Sequence, residues 1–264
     1  MKIISWNINS LRLRLPLLKK LIAQANPDII CLQETKVSNS DFPLLEVQSL
    51  GFDFIEFDGE KSYNGVAILS KFPLKNTQII DIKNYGHKRH ISTTFYTQKN
   101  EVILHNFYVP AGGDIADVTL NDKFDHKLKF IDWMTEFFTT QKKEKIIIVG
   151  DMNIAPLEHD VWSHKQLLKI VSHTPIEVEK MTNLQKSLNW IDTHRFFTPE
   201  NEKLYSWWSY RAADPLGANK GRRLDHIWAT PNLKNNIKSM KIYRDFRSET
   251  QPSDHVPIET EFEL

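Results

Sequence analysis

The sequence predicts a mixed α/β fold in which two β-sheets pack face to face and helices cover their outer faces. Apolar, β-branched runs bounded by turn residues recur along most of the chain, and few helical patterns separate the runs in its middle. This spacing does not suit a simple alternation of strands and helices. No Gly/Ser-rich linker, fixed-period repeat or low-complexity tract interrupts the pattern, so we expect residues 1–264 to form a single domain.

The strands are predicted from runs that alternate between apolar and polar residues or that are continuously apolar. Lys2-Ile3-Ile4-Ser5-Trp6 alternates near the start, and Lys145-Ile146-Ile147-Ile148-Val149 has the composition of a strand covered on both faces. In chain order, we expect strands near residues 2–9, 28–33, 52–58, 65–70, 77–82, 91–97, 102–108, 145–150, 224–229, 237–243 and 257–263.

The helices are predicted from amphipathic stretches. The first of them ends at Asn26-Pro27, because a residue that precedes proline resists the α conformation. In chain order, we expect helices near residues 14–25, 42–50, 119–141, 159–171 and 181–189.

The composition is that of an ordinary soluble protein. The chain has 264 residues, of which 41% are hydrophobic and 25% charged, so it can bury a large core. The single cysteine, Cys31, lies in an apolar run; this excludes an internal disulfide and predicts a small core residue in a reducing compartment. No run approaches the roughly 20 apolar residues that a membrane span needs. We expect an untargeted cytoplasmic protein.

The net charge of +1 would not by itself draw the protein onto a polyanion. Any affinity for nucleic acid must therefore come from local basic patches. The sequence offers two: one combines Lys83, Lys88 and Arg89 with His87 and His90, and the other, between residues 203 and 223, carries Arg211, Lys220, Arg222 and Arg223 among aromatic residues. Basic side chains neutralise phosphates and aromatic rings stack on bases, although each patch alone is also typical of a solvated face.

Acidic residues follow several of the predicted strands. Gly150-Asp151-Met152-Asn153 ends the Ile-rich strand, Gln33-Glu34-Thr35 ends the second strand, and Ser253-Asp254-His255 precedes the last. A single such motif is as well explained by a solvated loop acid or a turn residue. Because the motifs recur at equivalent positions, together they indicate a divalent-metal site.

Further polar residues interrupt apolar segments. Asn7 lies in the first strand, where a buried carboxamide must find hydrogen bonds, and Asp225 interrupts the run 224–229. We expect Asp225 to accept a hydrogen bond from one imidazole nitrogen of His255. This contact would raise the pKa of His255 and leave its other nitrogen facing a phosphate. His226 should point to the opposite face and be structural. Tyr108 is either a phosphate-binding hydroxyl or a packed aromatic residue.

Seven motifs, taken in order, resemble those of the exonuclease III branch of the endonuclease/exonuclease/phosphatase superfamily. The resemblance implies a four-layer α/β sandwich like that of deoxyribonuclease I. It also implies a Mg²⁺-dependent phosphodiesterase, with Mn²⁺ as a substitute, that incises DNA 5′ of abasic sites and has 3′-to-5′ exonuclease and 3′-end-cleaning activity. The alternative is a 3′-to-5′ exonuclease with little abasic-site incision. The motifs are Trp6-Asn7-Ile8-Asn9-Ser10-Leu11-Arg12, Leu32-Gln33-Glu34-Thr35-Lys36, Tyr63-Asn64-Gly65-Val66-Ala67, Asn106-Phe107-Tyr108-Val109-Pro110, Gly150-Asp151-Met152-Asn153-Ile154-Ala155-Pro156, Arg223-Leu224-Asp225 and Ser253-Asp254-His255.

The resemblance also implies roles for individual residues. Glu34 corresponds to the principal metal ligand and Asn7 binds or orients the metal shell, with Asp254 as a further carboxylate at or near the metal. Asp151 aligns and deprotonates the attacking water, Asn153 helps to hold it, and both lie at the metal site. Asp225 orients His255, which steadies the scissile phosphate together with Tyr108.

Substrate contacts are expected from the later loops. Trp207 resembles the aromatic residue that packs on an extruded abasic sugar, Leu224 lines the same pocket, and Trp208 is expected in the core. Arg211, Arg222 and Asn106 complete the expected substrate-binding set. Two positions depart from the family pattern: Ala111-Gly112-Gly113 replaces a phosphate-binding Asn or Gln, and Arg222 stands where some relatives have an aromatic residue. The expected partner is double-stranded DNA with abasic sites or blocked 3′ ends. We expect the protein to be a monomer in a bacterial cytoplasm, with no membrane partner and no obligate protein partner.

Overall fold

Two six-stranded β-sheets form the centre of the fold in the computed structural model, which describes residues 1–141, 144–211 and 214–264. The first sheet contains β1 (Lys2–Asn7), β2 (Ile29–Gln33), β3 (Phe54–Glu60), β4 (Tyr63–Ser70), β13 (Ile237–Ile242) and β14 (Ile258–Phe262). Its spatial order is β13-β14-β1-β2-β4-β3. Only β1 and β2 run parallel; the other neighbours are antiparallel.

The second sheet contains β5 (Leu74–Gln78), β6 (His90–Tyr96), β7 (Glu101–Tyr108), β8 (Ile146–Asp151), β9 (Ile191–Asp192) and β12 (Asp225–Ala229). Its order is β5-β6-β7-β8-β12-β9, with β7 and β8 parallel. A short antiparallel ribbon, β10 (Trp207–Trp208) and β11 (Gly221–Arg222), lies beside them.

The helices lie outside the two sheets, and the longer ones cover the outer sheet faces. They are α1 (Leu11–Ala25), α2 (Leu44–Gln48), α3 (Asp122–Thr139), α4 (His164–Leu167), α5 (Pro175–Ser187) and α6 (Pro215–Ala218). Leu18 and Leu21 of α1 pack with Ile4 and Leu32 of the first sheet. Phe130 of α3 packs with Ile148 of the second sheet, and Met181 of α5 belongs to the same cluster. No helix among the described residues is both long and apolar enough to cross a bilayer.

The alternation of side chains along each strand explains why four layers form. Ile3 and Cys31 point from the first sheet into a core shared with Leu104, Ile147 and other residues of the second sheet, whereas their chain neighbours point outward towards α1. Cys31 is fully buried there, as its sequence context predicts. The predicted four-layer α/β sandwich is confirmed.

Several element boundaries differ from the prediction. The strand expected at 77–82 is β5, which lies earlier, and residues 82–84 form a 3₁₀ turn. The helix expected at 159–171 is reduced to α4, because the Asp160 side chain caps Leu157 N–H at 3.0 Å and is drawn into buried ion pairs with two arginines. The helix expected at 181–189 begins instead at Pro175. Thr174 and Glu177 form a capping box there, a signal that the sequence carries and that marks the start of the helix.

Candidate active site

The carboxyl ends of β1, β2, β7 and β8 meet at one edge of the sandwich, beside the loop that precedes β14. They open into a cleft of about 890 Å³. Its walls include the following residues that the sequence singles out: Glu34, Tyr108, Asp151, Asn153, Trp207, Arg211, Arg222, Leu224, Asp254 and His255. The cleft thus brings together side chains that are far apart in the chain.

Asp151 ends β8 and lies opposite Asp225 on β12 and Tyr108 on β7. The preceding residue must be glycine, because a Cβ on Gly150 would lie 1.9 Å from the carbonyl oxygen of Phe107. Asn7 donates a hydrogen bond to Asp151 Oδ2 at 2.8 Å. Asn153 donates twice, from its backbone N–H to Oδ1 at 2.9 Å and from Nδ2 to Oδ2 at 3.1 Å. Asn153 holds a left-handed conformation, φ 52°, to do so.

Burial raises the pKa of the Asp151 carboxyl, and so do the nearby carboxylates of Asp225 and Glu34; His255 acts against them. This carboxylate therefore holds a proton more readily than an exposed aspartate does. A group that can both accept and hold a proton at the wall of a cleft is suited to proton transfer.

Glu34 accepts hydrogen bonds from Tyr108 at 2.7 Å and from Asn7 at 2.9 Å, both on Oε1. Its other oxygen, Oε2, forms an ion pair with Lys36 at 2.7 Å. Burial opposes ionisation of Glu34, but Lys36 and the hydrogen bonds outweigh it and lower the pKa of this carboxyl. Burial and the charge of Glu34 raise the pKa of Tyr108 well above 10, so its hydroxyl keeps its proton and donates. Glu34 is thus an ionised carboxylate that is fixed in position at the cleft.

The predicted contact between Asp225 and His255 is present. His255 Nδ1 lies 2.8 Å from Asp225 Oδ2, while Nε2 faces Asp151 Oδ2 at 3.6 Å. Ser206 also donates to Asp225 Oδ2 at 2.6 Å. Burial alone would lower the pKa of His255, but Asp225 and Asp151 raise it. The imidazole therefore carries positive charge at the cleft.

His226 lies on the opposite face of β12, as the sequence predicts. Its Nε2 lies within hydrogen-bond distance, 2.9 Å, of the Ile154 carbonyl oxygen. It is fully buried and takes no part in the cleft.

Asp254 faces the cleft beside Trp207. Trp207 Nε1 donates to Asp254 Oδ2 at 2.9 Å, and Asn9 Nδ2 donates to Oδ1 at 3.1 Å. Although burial opposes its charge, His255, Trp207 and Asn9 lower the pKa of this carboxyl. Each of its oxygens accepts one hydrogen bond, so Asp254 links Asn9 to the aromatic wall.

The aromatic wall is divided between the two sides of β10. Trp207 is partly exposed in the cleft and Trp208 is buried, as alternation along a strand requires. Leu224 lines the cleft next to Trp207, and the guanidinium of Arg222 lies 5.2 Å from the Trp207 ring centroid. Arg211 is exposed at the rim.

The prediction that Asn106 binds the substrate is wrong. Asn106 is fully buried, and its Nδ2 donates to the carbonyl oxygens of Leu32 at 2.9 Å and Ala67 at 3.0 Å. Its Oδ1 accepts from Gln33 at 2.7 Å. Asn106 therefore ties the two sheets together behind the cleft and cannot contact DNA. The expected contact fails because Asn106 lies inside a strand, on the face that is buried between the two sheets.

The first predicted basic patch is also wrong in part, because His90 begins β6 and is buried with Arg89. The Arg89 guanidinium lies 4.5 Å from the ring centroid of Tyr108, and it donates to the Tyr108 carbonyl oxygen at 3.3 Å. Arg89 therefore supports Tyr108 from behind instead of offering a charge to phosphate.

Sequence reasoning missed Lys127 of α3 altogether. Its ammonium group is fully buried and paired with Glu177, and it donates to the carbonyl oxygens of Asn153 at 2.7 Å and Ala111 at 3.2 Å. A lysine inside an amphipathic helix usually points to solvent, so no local signal marks it. Asn9 and Lys36 were missed as well, although both lie in motifs next to Asn7 and Glu34.

Comparison with known proteins agrees with this geometry. Residues 4–255 match the endonuclease/exonuclease/phosphatase family. The chain is 32% identical over 282 residues to exodeoxyribonuclease III of Haemophilus influenzae, covering 99% of this chain and 100% of the relative. It is 30% identical to a DNA-(apurinic or apyrimidinic site) endonuclease of Dictyostelium discoideum, covering 98% of this chain and 69% of the relative.

Solved structures give the same result over the whole fold. An AP endonuclease from Archaeoglobus fulgidus superposes with a TM-score of 0.92 at 29% identity, and a 3′ phosphatase from Neisseria, bound to a product DNA hairpin, with 0.90 at 30%. Both comparisons cover 100% of both chains. The resemblance drawn from the motifs is confirmed: the chain belongs to the endonuclease/exonuclease/phosphatase family, in its exonuclease III branch, and is a hydrolase of the nuclease type.

Proposed function

We propose that this chain, as one catalytic domain over residues 1–264, is a metal-dependent DNA-repair phosphodiesterase that incises DNA 5′ of abasic sites and trims blocked 3′ ends. One observation carries the proposal: ionised, proton-holding and cationic groups converge on a single cleft whose other wall is aromatic and apolar. Glu34, Asp151 and His255 form the first side, and Trp207 and Leu224 form the second. The names of the relatives support the same activity.

A hard divalent cation, Mg²⁺ or in its place Mn²⁺, fits the oxygen atoms of the cleft. Glu34 is ionised and Asn7 lies beside it, so we assign these two residues as the principal holders, with Asp151, Asn153 and Asp254 around them. Ligand atoms of Asp151, Asp225 and His255 also lie within 4.8 Å of one another. We do not place the metal there, because Asp225 and His255 are already hydrogen-bonded to each other. When bound, the cation supplies positive charge to the phosphate and its leaving oxygen.

The chain's own residues then account for positioning and proton transfer. Asp151, held in orientation by Asn7 and Asn153, aligns the attacking water and accepts its proton. His255, charged and oriented by Asp225, faces the nonbridging oxygens. The Tyr108 hydroxyl, which donates to Glu34 Oε1 in this structure, turns to the same oxygens when phosphate binds. These groups are already in place before charge develops, which is the condition under which they stabilise a transition state most.

The aromatic wall accounts for the choice of substrate. An abasic nucleotide has lost its base, so moving it out of the duplex takes less free energy than moving an intact nucleotide. Trp207 and Leu224 present an apolar surface to the extruded sugar, while Arg211 at the rim and Arg222 in the wall supply positive charge. Selectivity for damage then needs no reading of base edges. Double-stranded DNA is the proposed partner of a monomeric protein in a bacterial cytoplasm.

A 3′-to-5′ exonuclease with little abasic-site incision is the second candidate. The observation that favours it is the segment Ala111-Gly112-Gly113 at the cleft, which has no side chain for binding phosphate. Both glycines adopt left-handed conformations, with φ of 89° and 69°. Weaker binding of an uninterrupted DNA strand would favour DNA substrates whose 3′ end lies in the cleft.

A substrate panel separates the candidates. The purified chain is incubated with Mg²⁺ and a duplex containing one abasic site, a duplex with a recessed 3′ end, single-stranded RNA and an inositol phosphate. We expect incision of the first and slower trimming of the second, with the RNA and inositol phosphate unchanged. Trimming without incision would establish the exonuclease alternative, and cleavage of only the RNA or the inositol phosphate would contradict the DNA-repair assignment.

A further inference from the structure

The segment 206–210, which carries the aromatic wall, lies along the loop that precedes β14. At its beginning, the Ser206 carbonyl oxygen accepts a hydrogen bond from Val256 N–H at 2.8 Å. In its middle, Trp207 pairs with His255 in an isolated β-bridge. The far end of the segment is held differently, by side chains of other elements.

Tyr210 forms this far end, and all hydrogen-bonding positions of its hydroxyl are occupied although the residue is 49% exposed. The hydroxyl accepts hydrogen bonds from Asn9 Nδ2 and Arg14 Nη2, both at 3.2 Å, and it donates to the Pro252 carbonyl oxygen at 2.9 Å. A hydroxyl has one donor and two acceptor positions, so none is left for a substrate. The hydroxyl therefore joins three parts of the chain to one another.

Two buried arginines support this contact. Arg14 of α1 also donates from Nη2 to the Pro252 carbonyl oxygen at 3.0 Å. The guanidinium of Arg247 lies 5.0 Å from the Tyr210 ring centroid, and its Nε donates to the Trp208 carbonyl oxygen at 3.1 Å. Neither arginine forms an ion pair with a carboxylate in the part of the chain that the structure describes. Their charged donors bind loop carbonyl groups instead, which fixes the loops around Tyr210.

Tyr210 is also connected to the carboxylates of the cleft. Asn9, which bonds to its hydroxyl, donates from the same Nδ2 to Asp254 Oδ1 at 3.1 Å. The Oδ1 atom of Asn9 accepts a hydrogen bond from Lys36 at 2.6 Å, and Lys36 is paired with Glu34 at 2.7 Å. A continuous set of polar contacts therefore runs from Glu34 to the far end of the segment that carries the aromatic wall.

We propose that Tyr210 is a positioning residue whose hydroxyl holds the aromatic wall in place relative to Asn7 and Glu34. This inference rests on the proposed function and adds a residue that acts through Trp207 without contacting the substrate. An abasic nucleotide must place its sugar against the wall and its phosphate against the acidic side at the same time. A shift of about 1 Å between the two sides can therefore reduce the rate by about 10²-fold.

Two substrates differ in whether they need the wall. A duplex that ends in a 3′ phosphate has nothing attached beyond that phosphate, so no part of it reaches Trp207 when the phosphate lies at the acidic side. An abasic site inside a duplex needs both sides of the cleft. A comparison of the two substrates therefore separates the positioning of the wall from a general loss of structure.

The test uses Tyr210→Phe, which removes the hydroxyl and keeps the ring beside Arg247. With Mg²⁺, we expect kcat/KM on the abasic duplex to fall by about 10-fold, because the wall is no longer fixed, while kcat/KM on the 3′-phosphate duplex changes little. Tyr96→Phe is the matched control, since it removes the hydroxyl of an exposed tyrosine bonded to Glu101, and it should leave both values unchanged. Equal losses on the two substrates, or no loss on either, would overturn the inference.

A double-variant cycle with Trp207→Ala separates positioning from direct contact with DNA. If Tyr210 acts through the wall, Tyr210→Phe should cause no further loss on the abasic duplex once Trp207 has been replaced, because no ring is left to position. Multiplying losses would overturn the inference, since they would mean that the hydroxyl contributes independently of Trp207.

The wild type separates this inference from the proposed function. If the wild type cleaves both duplexes and Tyr210→Phe affects them equally, the role of Tyr210 is overturned and the proposed function is left intact. Failure of the wild type to cleave either duplex overturns both.

Discussion

Asp151 combines two properties that a surface aspartate does not have together. It is buried, so its pKa is raised, and it is held by hydrogen bonds from Asn7 and Asn153, so its orientation is fixed. If Asp151 accepts the proton of the attacking water, its carboxylate is needed for the chemical step but contributes little to the binding of DNA.

Asp151→Asn should therefore lower kcat on an abasic duplex by at least about 10²-fold, the contribution typical of a general base. The dissociation constant for the same duplex should change little. Single-turnover cleavage and fluorescence anisotropy measure the two quantities. Asp132→Asn, which alters an acid on α3 paired with Lys180, is the matched control and should behave as the wild type. A large loss of affinity with unchanged kcat would contradict this role.

Lys127 acts on the same site from behind. Its ammonium group bonds to the carbonyl oxygens of Asn153 and Ala111, which belong to the loops after β8 and β7. Glu177, its partner, also accepts hydrogen bonds from the N–H groups of Ser172 and Thr174. One buried ion pair thus joins three segments around the cleft, and we infer that it positions Asn153.

Lys127→Met should destabilise the fold by about 3–5 kcal/mol, because it leaves the Glu177 carboxylate buried without a counter-charge. Adding Glu177→Gln should recover much of this loss, but kcat should remain reduced, since the two carbonyl groups still lack a donor. Urea unfolding and abasic-duplex cleavage measure the two effects. Wild-type kcat in the stable double variant would show that the ion pair serves stability alone.

Among the secondary-structure elements, the strand ends that carry acidic site residues could be predicted from the sequence. Glu34 and Asp151 follow apolar runs, and the sequence shows this directly. Pairing between distant strands was not predictable, because nothing local determines that Asp225 will lie opposite Asp151. The shortening of the helix expected at 159–171 has the same origin: Asp160 is bound by Arg223, which lies 63 residues away in sequence.

Strands β6 and β7 carry a buried histidine pair that links stability to pH. His90 Nε2 lies 3.0 Å from His105 Nδ1, and both side chains pack among aromatic residues between the sheet and α3. Burial lowers the pKa of His105 to about 3, and burial with the neighbouring imidazole lowers the pKa of His90. Both imidazoles are therefore neutral in the folded protein at neutral pH.

Because these folded-state pKa values lie below the unfolded value of about 6.5, protonation favours unfolding. The stabilisation is complete above that pH and is lost as the pH falls towards 3. Between pH 6.5 and 5, His105 should account for a loss of about 2 kcal/mol in the free energy of unfolding, at about 1.4 kcal/mol per pH unit. His105→Gln should lose less over this range in urea titrations. Equal pH slopes for both proteins would contradict the assignment.

For the whole molecule, the sequence allowed the layers to be predicted but not the depth at which each polar residue lies. Asn106 and Asn7 look alike in sequence, each being an amide in a strand. The structure separates them, because Asn106 bonds between the sheets whereas Asn7 lies at the strand end and reaches Glu34 and Asp151. The net charge of +1 leaves any attraction of DNA to local basic groups, and Arg211, Lys220 and Arg222 lie at the cleft together with its acids.

The most direct test of the central claim maps the cut on a duplex with one abasic site, using the wild type with Mg²⁺, the wild type with Mg²⁺ and chelator, and Glu34→Gln. We expect a nick on the 5′ side of the abasic site that leaves a 3′-hydroxyl end. Chelator should abolish it, and Glu34→Gln should reduce it by at least about 10²-fold, because a hard cation loses its charged ligand. An unaltered nick in the presence of chelator, or an intact abasic duplex with active wild-type protein, would contradict the claim.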